Sequence, residues 1–247
     1  MRILYLHFHR FISLYSFGML LVFISVIWGC SPMRNQSFAT QTLLWKFTTL
    51  AHWQDDSQQT EWKKNYMLDS QGYLKLFTHP NTAERSKIRT VESFALGTYT
   101  WKIFVPEFGK GDNTSIGAFL YDDDAHELDF EIGNGTQALR NTMHAKNDEL
   151  LVFMTSQGTP VCSKTVKIKN NAWYEFSLTI QKNRKNKWNA LWKINQKNYF
   201  KVELQYQKNT NFHIYCSVEN LPFMGDHLPK VMNYALFDYV KFEPQFE

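Results

Sequence analysis

The 247-residue sequence has no sustained helical hydrophobic period, no internal repeat and no interior stretch rich in Pro, Gly or Ser. The first absence argues against a helical bundle. The last argues for one domain, because all-β domains often reach this length undivided. Net charge is small as well: the formal value is +4, and Arg2 and Arg10 of the first segment account for two of it, so nothing demands a nucleic-acid partner. Cysteine is confined to Cys30, Cys162 and Cys216. There is no EF-hand loop and no His pair at zinc spacing, so no metal centre is assigned.

Apolar residues make up 44% of the chain and aromatics 16%, enough for a large core. Aromatics suit sugar-stacking surfaces and the interior of an all-β protein alike. Most of the chain alternates with period two. Gly72 to Thr78 sets Tyr73, Lys75 and Phe77 against Leu74 and Leu76, and Tyr99, Trp101, Ile103 and Val105 share one face. Trp173 to Gln181, Trp188 to Ile194, Phe200 to Leu204, Phe212 to Val218 and Tyr234 to Glu243 continue the series. Many short strands with turn residues between them predict two antiparallel sheets packed face to face. Gln181 to Lys187, rich in Lys and Asn, reads as a solvated hairpin connection.

Residues 1–29 read as a targeting segment, with Arg2 and Arg10 flanking its start and a nearly uncharged apolar run from Phe11 to Ile27. The run ends in Ile27-Trp28-Gly29-Cys30-Ser31, which resembles the bacterial lipoprotein signal, although Trp28 is unusual in that pattern. The resemblance implies a lipidated Cys30 as mature N-terminus, residues 30–43 as a polar tether, and a domain over 44–247 held on the cell envelope outside the cytoplasm. An uncleaved anchor and a plain secretory signal are the other readings. In an oxidising compartment Cys162 and Cys216 are a possible disulfide; two separate buried thiols are the other reading.

The costliest stretch is His126-Glu127-Leu128-Asp129-Phe130-Glu131-Ile132-Gly133. On a strand Glu127, Asp129 and Glu131 share one face and Leu128, Phe130 and Ile132 the other. Three acids in line repel one another, so the arrangement asks for a function. Glu127 and Glu131 have Cα atoms roughly 13 Å apart, and inward-leaning side chains bring their carboxyls within roughly 5 to 6 Å. Retaining glycosidases need about 5 to 5.5 Å between nucleophile and acid/base. Asp129 between them would hinder ionisation of its neighbours, so that one Glu stays protonated and the three titrate as a group. Two other readings are open: a divalent-cation site helped by Asp122-Asp123-Asp124, and the solvated face of an edge strand.

Glu127-Leu128-Asp129-Phe130-Glu131 resembles the Glu-x-Asp-x-Glu signature of glycoside hydrolase family 16. The likeness covers about Leu44 to Glu243. Arg89 to Tyr99 resembles the family's strand with an aromatic-Gly-x-aromatic entry, Val105-Pro106 with Ala118 to Tyr121 the strand that reaches the motif, and Leu236 to Phe242 the closing strand. The resemblance implies an all-β, concanavalin A-like β-jelly-roll sandwich with a glycan cleft. It also implies a retaining endo-glycosidase or transglycosylase acting on a β-linked, β-glucan-like polysaccharide. Glu127 would be the nucleophile, Asp129 its helper and Glu131 the acid/base. Arg89, Phe119 and Tyr121 would line the cleft, and His144, on the neighbouring strand, is a further candidate. The motif has no extra residue before its last Glu, as in the lichenase and xyloglucan-transferase branch.

No cofactor is required, although some members carry a structural calcium to which Asp238 could contribute. A polysaccharide, and the membrane through the N-terminal lipid, are the expected partners of a monomer. The chain departs from the family in Trp173-Tyr174-Glu175-Phe176, in an Asn195-Gln196 turn in place of Asp-Gly, in Ile132-Gly133-Asn134, one residue shorter than the lichenase wording after Glu131, and around Val218, where a cleft tryptophan is replaced. The alternative on the same sandwich is a non-catalytic glycan-binding envelope lipoprotein.

Overall fold

The computed structural model describes residues 41–58, 64–158, 160–206 and 210–245, all within one compact unit, Phe38–Glu247. The targeting segment, Cys30 and most of the tether lie outside the described residues. The strands are β1 (Leu43–Lys46), β2 (Trp53–Asp55), β3 (Tyr66–Leu68), β4 (Leu74–Thr78), β5 (Arg85–Thr90), β6 (Gly97–Val105), β7 (Thr114–Asp123) and β8 (His126–Gly133). After a short helix α1 (Gln137–Thr142) come β9 (Glu149–Gly158), β10 (Cys162–Lys169), β11 (Ala172–Lys182), β12 (Trp188–Ile194), β13 (Lys197–Leu204), β14 (His213–Asn220) and β15 (Asn233–Pro244).

Two antiparallel sheets result, as in a jelly-roll sandwich. One runs β13-β12-β11-β6-β15-β4-β3, with β1 also paired to β15, and the other runs β10-β9-β8-β7-β14-β5-β2. The period-two pattern explains how they meet. Tyr99, Trp101, Ile103 and Val105 of β6 and Phe176, Leu178 and Ile180 of β11 are fully buried, and so are Leu128, Phe130 and Ile132 of β8 from the opposite sheet. The Phe130 and Phe176 rings meet across the interface with centroids 5.2 Å apart. Each such side chain contributes about 1.5–3 kcal/mol by leaving water.

Of the Gln181 to Lys187 stretch, residues 183–187 form the β11–β12 connection and the first two end β11. Asn183 Oδ1 accepts from the backbone N–H groups of Lys185 and Lys187 at 2.9 and 3.0 Å, and Lys187 Nζ lies 2.8 Å from Glu203 Oε1. β12 and β13 are joined through Asn195 and Gln196, both at positive φ (47° and 66°). Two left-handed residues in sequence suit the twist of a tight hairpin, which is the service an Asp-Gly pair would render.

Two sequence expectations are corrected. Cys162 and Cys216 are both free thiols, one half-buried and one buried. They stand on β10 and β14, with β9, β8 and β7 between them, which separates the strands by about 19 Å along the sheet, far beyond disulfide reach. Second, the chain after β8 enters α1 before returning to the sheet. Thr136 caps the helix by accepting from the Leu139 N–H at 3.3 Å. Buried Arg140 then donates to the carbonyls of Asn134, Lys146 and Glu149, which closes the connection.

Candidate active site

β8 lies inside its sheet, between β7 and β9, so both of its backbone edges are paired. With Leu128, Phe130 and Ile132 committed to the core, alternation turns Glu127, Asp129 and Glu131 to the open face. The register sets their neighbours. On β7, Tyr121 stands beside Glu127, Phe119 beside Asp129 and Gly117 beside Glu131. On β9 the corresponding residues are Gln157, Thr155 and Phe153. Further out, β14 places Tyr215 beside Phe119 and Ser217 beside Gly117, and β5 follows with Arg89, Lys87 and Arg85.

The electrostatics differ among the three acids. Asp129 is 2% exposed; its Oδ2 accepts from Gln157 Nε2 at 2.9 Å, while no donor reaches its buried Oδ1. Burial above all, then the charges of Glu127 and Glu131, hold its carboxyl well above the usual range, so Asp129 carries a proton it can donate to Glu127. Glu127 is raised as well, by burial first and further by the charges of Glu219 and Asp124, with the hydrogen bond from Asp129 and the Lys87 ammonium opposing. Glu131 is pushed up to about 8, by burial first and then by the charges of Glu219 and Glu127, against the opposing pull of Arg85. At neutral pH the face therefore presents a protonated Glu131 beside a Glu127 that has a hydrogen bond from Asp129 and the Lys87 charge to favour its anion. That division of labour is what acid and nucleophile need.

Phe119 and Tyr121 flank the acids, yet Phe119 is only 7% exposed because Tyr215 stacks on it, with centroids 4.5 Å apart and planes 12° from parallel. The Tyr121 hydroxyl donates to Asp124 at 2.9 Å, which with burial takes it to about 12. Arg89 lies on the same face, its Nε 3.9 Å from Asp56 Oδ1, and Asp56 Oδ2 accepts from the Tyr215 hydroxyl at 3.0 Å. His144 is not on the neighbouring strand. It occupies the exposed turn after α1 at φ 49°, where its carbonyl accepts from Lys167 Nζ. The strand positions expected for it belong to β9.

Sequence reasoning missed Tyr215, Glu219, Lys87, Asp56 and Gln157. Their signal was the alternation of β14 and β5: Cys216 and Val218 are fully buried, so Tyr215, Ser217 and Glu219 must face outward. Val218 is thus a core residue, and the open-face positions around it are Ser217 and Glu219. Phe153, beside Glu131, also meets the half-exposed ring of Phe223 edge-on, with centroids 6.4 Å apart. Among the described residues, Asp122, Asp123 and His126 form the one group of three side chains able to hold a metal ion, at the exposed β7–β8 turn. There His126 Nδ1 is already 2.7 Å from Asp123 Oδ1.

No protein-family model and no curated protein matches this sequence. Solved structures do. A Bacillus licheniformis β-glucanase aligns with TM-score 0.60 and 13% identity, covering 83% of this chain and 99% of its own. The chain has the fold of family 16 glycoside hydrolases. A Bacteroides ovatus endo-glucanase of glycoside hydrolase family 16 aligns with TM-score 0.56 and 13% identity over 81% of this chain and 99% of its own. A transglycosylase in complex with NAG aligns with TM-score 0.59 and 14% identity over 85% and 86%. The family 16 fold thus accounts for nearly the full length of the two glucanases.

Proposed function

We propose that the chain is a retaining endo-glycosidase or transglycosylase that acts on a β-linked, β-glucan-like polysaccharide by double displacement. The observation that carries this reading is the placement of Glu127, buried Asp129 and Glu131 in line on one face of an interior strand, beside Phe119, Tyr121 and Tyr215. Glu127 attacks the anomeric carbon while Glu131 gives its proton to the leaving oxygen, and Asp129 hydrogen-bonds the nucleophile. Glu131, now ionised, then takes a proton from water or from a sugar hydroxyl, which displaces Glu127 and restores the starting state. Phe119, Tyr121, Tyr215 and Arg89 offer stacking and hydrogen-bonding surface beside the acids. The fold shared with a β-glucanase and a transglycosylase supports both outcomes.

The deciding experiment is product analysis on lichenan, laminarin, xyloglucan, agarose and carrageenan with the Glu127→Gln variant as control. Release or rearrangement of a glycan by the parent and not by the variant supports the reading; an active Glu127→Gln protein overturns it. The replacement of a cleft aromatic by Ser217 and Glu219 favours the second reading, a non-catalytic glycan-binding protein. That reading is abandoned if the parent turns over any member of the panel. The cell-envelope location rests on the Cys30 sequence pattern, and labelling with a fatty-acid probe that Cys30→Ala abolishes would support lipidation.

A further inference from the structure

Double displacement leaves one carboxylate of the open face without a task. Glu219 on β14 is 7% exposed, with Oε2 3.7 Å from Lys87 Nζ and 3.8 Å from Arg85 Nε. Gly117 stands beside Glu131 on one side and Ser217 on the other, and Glu219 is one row further along β14. The Cα atoms of Glu131 and Glu219 are then about 12 Å apart on the same face. Gly117 lets the Ser217 hydroxyl and the Phe119 ring close over it. A Cβ at Gly117 would lie 2.3 Å from Ser217 Oγ and 3.2 Å from the Phe119 ring.

The charged and titratable groups that face Glu131 can be named strand by strand. Its own strand brings Glu127 and Asp129, and β7 brings only Tyr121, at the Glu127 end. β14 brings Glu219, Tyr215 and His213, while β5 brings Arg85, Lys87 and Arg89. β9 turns Phe153, Thr155 and Gln157 toward it, with Glu149 at the far end paired to Lys167 of β10. Of these acids Glu219 bears most strongly on Glu131, ahead of Glu127, and Arg85 opposes it. Glu219 acts twice, as a negative charge and as the partner of Arg85 and Lys87.

We propose that Glu219 is a positioning residue for Glu131, a fourth carboxylate of this face that holds Arg85 and Lys87 on the far side of Gly117 and so keeps both cations away from Glu131. This rests on Glu131 as the acid/base of the proposed reaction. The test is a carboxyl-carbon NMR titration of the full-length protein labelled at glutamate, with the Glu131 resonance assigned by its loss in Glu131→Gln. Glu219→Gln is expected to lower the proton affinity of Glu131 about tenfold, and Glu219→Asp to restore most of it. Arg85→Gln, a change at a half-exposed side chain that the fold should tolerate, is expected to raise it. An unmoved Glu131 titration in either Glu219→Gln or Arg85→Gln overturns the proposal. In an active protein the alkaline limb of the rate profile should move with the Glu131 midpoint in Glu219→Gln. A limb that stays while the midpoint moves rejects Glu131 as the acid/base and leaves the hold of Glu219 on its proton supported.

Discussion

Trp192, fully buried on β12, donates its indole N–H to the backbone carbonyl of Asp129 at 2.9 Å. Trp101 of β6 does the same for the carbonyl of Tyr215 at 3.0 Å. Two indoles of the covering sheet thus cross the core to grip the backbones of two strands that carry the site. Trp192→Phe keeps most of the ring volume and loses the donor. It should cost about 2 kcal/mol in chemical denaturation and lower glycan turnover, because the Asp129 backbone loses its tether.

The raised Glu131 carboxyl makes stability depend on pH. Below its ordinary value of 4.5 both the folded and unfolded states hold the proton, and the fold is not penalised. As pH rises from 4.5 to about 8 the unfolded chain ionises while the folded chain resists, so stability falls across that window and the loss is complete above it. Glu131→Gln removes this dependence. Its Tm relative to the parent should climb through the same window and then level off, as thermal unfolding across pH would show.

Phe223 is 53% exposed beside Phe153 and adds little to the core. If a sugar ring stacks there, Phe223→Ala should raise KM about fivefold, worth about 1 kcal/mol, with kcat and Tm nearly unchanged. Steady-state kinetics on the preferred glycan would check it.

Gln196 holds φ 66° in the exposed β12–β13 hairpin, a conformation that costs a residue with a Cβ about 1 kcal/mol. Gln196→Gly removes that cost and returns part of it as unfolded-state entropy, for a net gain of about 0.5 kcal/mol. Differential scanning calorimetry should show a higher Tm and an unchanged activity.

The legible parts were those written in local alternation. Leu128, Phe130 and Ile132 against Glu127, Asp129 and Glu131 followed from period two alone, and β12 has the bounds its pattern predicts. Strand order was not legible, because pairing between distant segments leaves no local mark; this is why Cys162 and Cys216 looked able to meet. α1, six residues long, is too short to show a helical period, and its insertion moved His144 off the sheet. Glu219 was hidden for a different reason. The family resemblance marks a replaced tryptophan around Val218, whereas the face of each β14 residue follows only from the burial of Cys216 and Val218.

The place of β8 between two full-length partners also governs motion. Each of its amides is bonded within an interior ladder, so release of the Asp129 and Glu131 N–H groups requires the middle of the sheet to open. β2, at the sheet edge and three residues long, opens far more cheaply. Breathing therefore falls to the margins of the sheet, while the acids stay in a frame that moves last.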